Sequence, residues 1–183
     1  MYPPGFSTKV SVADLTEDLC GAARPNHFDG VATVVTKLLL QCGPDKAIFG
    51  DKDYQQLLVI KQLVRDLNIP VEIIGGAIVR EADGLALCSR NAYLSPVERK
   101  LAPVLYHTIC DVADDLAQGR GADDAAEAAR FKLEAKGFNV DYVAVRDPDT
   151  LKPLHGPVTA ARVLAAVHLG KTRLIDNVPV PVR

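Results

Sequence analysis

Residues 46–76 read "KAIFGDKDYQQLLVIKQLVRDLNIPVEIIGG", and the spacing of apolar residues changes twice within them. "KAIFG" is a short apolar run of the kind that buried strands use, and "PVEIIGG" at 70–76 is another. Between them, residues 53–67 set Leu57, Ile60, Leu63, Val64 and Leu67 on one face of a helix. Strand, helix and strand joined by short turns imply a right-handed crossover and a parallel pair. Gly50 stands at the first join, where backbone freedom is expected to be needed, and Asp51, Lys52 and Asp53 fill the gap before the helix. This layout lets helix N-terminal amides and a lysine meet an anion. Lys52 suits a phosphate as a point charge, Asp53 suits a helix cap or a polar ligand group, and one of Gln55 and Gln56 is expected to face a ligand. An acidic helix start after a strand is also common for structural reasons alone.

Toward the N-terminus, "VATVVTKLLLQCG" at 31–43 is apolar nearly all round and stops at Gly43 and Pro44, which predicts a buried helix lying on the sheet. "NHFDG" ahead of it reads as a polar link. "SVADLTEDLCGAARP" spaces Val12, Leu15 and Leu19 as a short amphipathic helix ending before Pro25. "MYPPGFSTKV" opens the chain with a proline-rich loop like one from the interior of a longer protein.

Toward the C-terminus the character changes near residue 79. "ADGLALCSRNAYLSP" at 82–96 is turn-rich and polar and reads as a connecting loop. Within it "CSRN" offers a hydroxyl, a guanidinium and an amide in succession, which suits a loop closing on phosphate oxygens. Two phosphate-friendly loops flank one strand, helix, strand unit, and ligands of open α/β sheets gather at the carboxyl ends of strands. Residues 96–118 and 123–136 are predicted as two helices, and "FNVDYVAVRD", "ARVLAAVHLG" and "KTRLIDNVPV" as three strands of a small antiparallel sheet. The expected division is residues 1–78 and residues 79–183.

Composition bounds the chemistry. The 183 residues carry 48% hydrophobic and 24% charged side chains with a formal net charge of -2 and no run of like charge, which argues against a nucleic-acid groove or an acidic membrane surface as partner. No apolar stretch is long enough to span a bilayer. Cys20, Cys42, Cys88 and Cys110 contain no CxxC pair, so reduced thiols in a cytosolic protein are the expectation. His27 follows "RPN" and is placed to hydrogen-bond a substrate, whereas His107, His155 and His168 lie in stretches with ordinary structural explanations. HExxH, GxSxG and Walker lysine patterns are absent. A metal held directly by protein ligands is therefore not expected, while magnesium carried by nucleotide phosphates is compatible.

Five motifs in order, "ARPNHFDGVATVVTKLL" (23–39), "FGDKDYQQLLVIKQLV" (49–64), "VREADGLALCSRNAYLS" (79–95), "DYVAVRDPDTL" (141–151) and "TRLIDN" (172–177), resemble the pantothenate synthetase (pantoate-β-alanine ligase) family over essentially the whole chain. The resemblance implies the later part of a Rossmann-like nucleotidyltransferase domain, binding ATP and pantoate, followed by a small α+β lid domain with a three-stranded antiparallel sheet. It implies ATP-dependent joining of pantoate to β-alanine through a pantoyl adenylate, magnesium carried by the nucleotide, a cytoplasmic homodimer, and neither nucleic acid nor membrane as partner. Residue by residue, it makes Gly50, Lys52 and Asp53 ATP-binding, with Lys52 on phosphate and Asp53 on the ribose. Gln56 corresponds to the pantoate-holding glutamine. Ser89 and Arg90 match the family's Ser-Ser-Arg loop and act with Lys52 on the phosphates during adenylation, while Val79 and Leu87 line the adenine pocket. Arg24 and His27 lie in a family-like motif without an assigned role.

Two departures stand out. Cys88 occupies the position of that loop's first serine, so a hydroxyl donor becomes a weak thiol donor, and reduced activity is expected. The family's HxGH segment, with an Asn and a Gln that bind ATP and pantoate, has no counterpart here. The expectation is a C-terminal portion that does not turn over alone. Alternatives are another adenylate-forming nucleotidyltransferase, discriminated by whether pantoate binds, or a non-catalytic folded fragment, favoured by an exposed apolar patch.

Overall fold

The computed structural model describes residues 1–154 and 160–180, so the expectation for His155 lies outside the described residues. The chain divides into two compact units, Met1–Ala77 and Ile78–Arg183.

In the first unit, α1 (Cys20–Ala23) and α2 (His27–Cys42) precede β1 (Lys46–Gly50), a single 3-10 turn (Asp51–Asp53), α3 (Tyr54–Asp66) and β2 (Glu72–Gly76). β1 and β2 pair in parallel, Lys46 against Glu72 through Gly50 against Gly76, as the strand, helix, strand reading requires. Phe28, Ala32, Val35 and Leu39 of α2 bury against Val59, Ile60, Leu63 and Val64 of α3, and Ala47, Phe49 and Ile73 pack onto them. α2 ends where the Gly43 amide donates to the Leu39 carbonyl.

Four expectations need correction here. "KAIFG" is half-buried rather than buried: its residues alternate, and Ile48 is 73% exposed on the face opposite the helices. α2 begins at His27, so "NHFDG" is not merely a link, and Leu38 and Leu40 of α2 are exposed. Leu67 also points outward, at the end of the helix whose other apolar residues are buried. Finally, residues 12–19 do not form the amphipathic helix. Asp14 and Leu19 take positive φ, and only Cys20–Ala23 is helical. The cause is Gln55, which is buried on α3 and takes over this segment's backbone groups. Its Nε2 donates to the carbonyls of Leu15 (2.8 Å) and Asp18 (2.9 Å), and its Oε1 accepts from the Cys20 amide (3.0 Å). A side chain that satisfies the backbone removes the helix's advantage.

In the second unit, a 3-10 segment (Ser89–Tyr93) leads to α4 (Pro96–Leu101), α5 (Val104–Ala117) and α6 (Ala122–Ala135). The single helix expected over 96–118 is two. Ser95 and Glu98 close a capping box that starts α4, and Pro103, at the N-cap of α5, interrupts the run. β3 (Asn139–Arg146), β4 (Arg162–Leu169) and β5 (Thr172–Pro179) form an antiparallel sheet in that order, with a bulge between Val140 and Tyr142. Leu105, Ile109, Val112 and Leu116 of α5 and Ala129 and Leu133 of α6 cover one face of it, against Val145, Val163, Val167 and Leu174. Among the described residues no helix is long and apolar enough to cross a membrane.

Candidate functional site

In the first unit the candidate residues collect where β1 hands over to α3. Gly50 has φ -70° and ψ 134°, ordinary extended backbone, so the expected need for glycine's conformational freedom is corrected. Packing does not require glycine there either, because a Cβ on Gly50 would meet nothing within 4 Å. Asp53 occupies the N-cap of α3 but makes no capping hydrogen bond, and it is exposed. The capping role is therefore not used, and its carboxylate faces solvent beside Lys52. Gln55 is consumed by residues 15–20, and Gln56 follows it half-buried on the first turn of α3.

Asp51 is a residue that sequence reasoning passed over. Its carboxylate lies across β2 at Gly75, where an added Cβ would collide with Asp51 Oδ1 and stand 3.2 Å from Leu57 Cδ2. The approach needs a residue without a side chain, and the double glycine after "EII" was its signal. At Gly76 the nearest atom to such a Cβ is Ile48 Cγ2 at 3.4 Å, an ordinary contact.

In the second unit, Val79, Leu87, Cys88, Ser89 and Arg90 fall on one small hairpin and its continuation. The Leu87 amide donates to the Val79 carbonyl and the Glu81 amide to the Leu85 carbonyl, each at 2.9 Å, with Arg80 and Ala86 paired between them. Gly84 makes the turn with φ +91°, and a Cβ on it would run into the Tyr106 ring. The Val79 and Leu87 side chains project into solvent. Cys88 is extended and half-buried and heads the 3-10 segment, while Ser89 and Arg90 are exposed. Asn91 ties the loop to its hairpin, its Nδ2 donating to the Ala86 carbonyl at 3.0 Å. The stretch read as a connecting loop is thus an ordered hairpin with a polar tip.

Two arginines brace that hairpin. Arg80 forks onto Asp176 of β5, Nη1 to Oδ2 at 2.6 Å and Nη2 to Oδ1 at 2.9 Å, and Nη1 also donates to the Gly84 carbonyl at 3.0 Å. Its guanidinium lies 3.9 Å from the centroid of the Tyr106 ring. Arg99 of α4 reaches the turn from outside, donating to Glu81 and Asp83 at 2.6 Å each. The hydrogen bond from Arg99 holds the Asp83 carboxyl below its ordinary value. Beneath the hairpin, burial pushes the Cys110 thiol up, and its hydrogen bond to Tyr106 pushes the phenol up.

The other histidines add little. His27 Nε2 and Arg24 Nη1 are 3.0 Å apart at the start of α2, and His168 Nε2 lies 3.5 Å from Asp141. Among the described residues no three His, Cys, Asp or Glu side chains cluster as metal ligands would.

The model of the Pantoate-beta-alanine ligase family matches residues 1–179. The chain belongs to this family. It is 55% identical over 182 residues to the pantothenate synthetase of Rhodospirillum rubrum, covering 98% of this chain and 64% of that relative. Identity to the Dinoroseobacter shibae enzyme of the same name is 56%, covering 98% of this chain and 65% of the relative. The chain therefore spans somewhat less than two thirds of the length of these curated relatives. Among solved structures, pantothenate synthetase from Thermus thermophilus superposes with a TM-score of 0.93 at 50% identity, over 98% of this chain and 66% of that one. A Francisella tularensis pantoate-beta-alanine ligase, solved with β,γ ATP and β-alanine, gives 0.76 at 32% identity, over 97% of this chain and 60% of that one. The parallel pair with its helices and the three-stranded antiparallel sheet are those of pantothenate synthetase structures.

Proposed function

We propose that this pantoate ligase chain supplies phosphate- and pantoate-binding residues for the ATP-dependent condensation of pantoate with β-alanine. The pantoate carboxylate attacks the α-phosphorus of ATP and pyrophosphate leaves. The amine of β-alanine then attacks the acyl carbon of the pantoyl adenylate, and AMP departs with the electron pair of the broken C–O bond. Neither step needs a covalent enzyme intermediate, so the protein's task is positioning and charge neutralisation. Lys52 and Arg90 are assigned to the phosphate oxygens as cations, Ser89 as a hydroxyl donor, Asp53 to the ribose, and Gln56 to pantoate. Gly50 leaves room for the nucleotide beside the turn, Val79 and Leu87 flank the adenine, and Cys88 offers only a weak donor where the family has serine.

The observation that carries this reading is the division of labour between adjacent glutamines. Gln55 spends its whole amide on residues 15–20, and Gln56 follows it on the first turn of α3, just after the 3-10 turn that carries Lys52. Support also comes from the Francisella tularensis relative, solved with β,γ ATP and β-alanine. Magnesium enters as the MgATP substrate. It keeps most of its ligands as water and phosphate oxygen. A cytoplasmic homodimer completes the proposal.

Calorimetric titration of pantoate in the presence of MgATP tests it. Saturable binding by the wild-type chain, lost in Gln56→Leu, is the expected result. Equal binding of a simpler hydroxy acid would favour an adenylating enzyme for another acid, and no binding of either would reject the assignment.

A further inference from the structure

We propose that Arg80 is a positioning residue that fixes the Cys88–Arg90 loop through its bidentate pairing with Asp176, and so sets the affinity for the triphosphate. The proposal rests on the phosphate role just assigned to Ser89 and Arg90. Arg80 touches neither of these residues, and it belongs to the strand of the hairpin opposite the one that leads into the loop. Its backbone pairs with Ala86, two residues before Cys88. Its side chain crosses to a residue 96 positions away, and Asp176 is 3% exposed. The same guanidinium holds the Gly84 carbonyl at the turn and lies on Tyr106, the ring that approaches Gly84 too closely for any side chain there. One planar group thus fixes the hairpin to β5 at its base and at its turn.

Geometry of this kind is specific to arginine. A lysine in its place would keep the charge but lose the fork, the stacking and the simultaneous reach to Gly84. The loop beyond the hairpin depends on the same frame, since Asn91 closes it by donating to the Ala86 carbonyl and the Asn91 amide donates to the Cys88 carbonyl. If the hairpin shifts on β5, the Ser89 hydroxyl and the Arg90 guanidinium shift with it. Displacements of about 1 Å are costly for groups that must meet phosphate oxygens.

The test compares wild type with Arg80→Lys by amide hydrogen exchange and by titration with MgATP. Expected for the variant is at least about tenfold faster exchange at Leu87 and Asn91, with Val167 and Leu174 in the sheet changed less than about twofold. MgATP is expected to bind about tenfold more weakly while the sheet's exchange stays near that of wild type, a split that a general loss of stability would not produce. Unchanged loop exchange would overturn the proposal, and so would equal acceleration across β4 and β5. If Arg80→Lys fails to fold, Asp176→Asn, which keeps the shape and one acceptor, decides by the same readouts. Loss of fold in both makes the pair a staple of the whole unit and overturns the proposal. A wild-type chain that binds no MgATP counts against the proposed function, and the exchange comparison then decides the role of Arg80 alone.

Discussion

The two places assigned to ATP phosphates are held in contrasting ways. The Gly50–Asp53 turn sits between a strand and a helix adjacent in sequence, and its fixed points are local: the end of β1, the first turn of α3, and the close approach of Asp51 to Gly75 on the paired strand. The Cys88–Arg90 loop is held by charged side chains from distant elements, Arg80 forked onto β5 and Arg99 reaching back from α4. The sheets differ in the same sense, since the parallel pair leaves Ile48 exposed on one face while β4 is buried almost throughout. A site on a topological join is fixed by backbone geometry, whereas one in the segment that continues a hairpin needs side chains to hold it. Substitutions should therefore damage the two through different chemistry.

The largest effect is expected at Gln55. Gln55→Leu strips two carbonyls and one amide of their partner in a half-buried segment, at a cost of about 2–3 kcal/mol, whereas Gln56→Leu should change stability by less than ~0.5 kcal/mol. Urea denaturation of the two variants measures the contrast, and equal losses would break it.

Next comes the glycine pair. Gly75→Ala must displace the Asp51 carboxylate and is expected to cost about 1–3 kcal/mol, together with weaker MgATP binding through movement of the turn. Gly76→Ala meets Ile48 Cγ2 at 3.4 Å and the Phe49 carbonyl oxygen at 3.8 Å, both ordinary contacts, and should be within about 0.5 kcal/mol of wild type. Thermal unfolding and a MgATP titration of both variants check this.

These contrasts show where the sequence was legible. Apolar periodicity placed α3, the parallel pair and the three antiparallel strands, because each element's neighbours in space are close to it in the chain. The same reasoning put Lys52 and Asp53 in the turn before α3 and Gln56 on the first turn of that helix. It failed where a distant side chain decides. Nothing near residues 12–19 announces that Gln55 will take their backbone hydrogen bonds, so local spacing points to a helix that does not form. Arg80 pairs with Asp176 across 96 positions, which no local pattern encodes. Pro103, by contrast, was a readable break inside the helix expected over 96–118.

A smaller effect sharpens the loop side. Cys88→Ser restores a hydroxyl donor at the head of the 3-10 segment and is expected to strengthen MgATP binding about fivefold, on the order of 1 kcal/mol, without a change in thermal stability. Unchanged affinity would mean that the backbone there meets the phosphates without help from residue 88.

The smallest effect is one of pH. Asp83 has a folded-state pKa below its ordinary value of 3.8 because Arg99 donates to it. Its contribution is therefore complete above 3.8 and disappears as pH falls through the lower folded value. Loss of protection at the Leu85 and Leu87 amides below about pH 4, absent at neutral pH and abolished as a pH effect in Arg99→Ala, is the expected outcome by hydrogen exchange. A loop equally protected at about pH 3 would show that Arg80 alone suffices to hold it.

The central claim is that this chain carries cations for the ATP phosphates, and calorimetric titration of MgATP onto wild type, Lys52→Met and Arg90→Met tests it most directly. Each change should weaken binding by about tenfold or more. Wild-type affinity in either variant, or no binding by the wild-type chain, would contradict it.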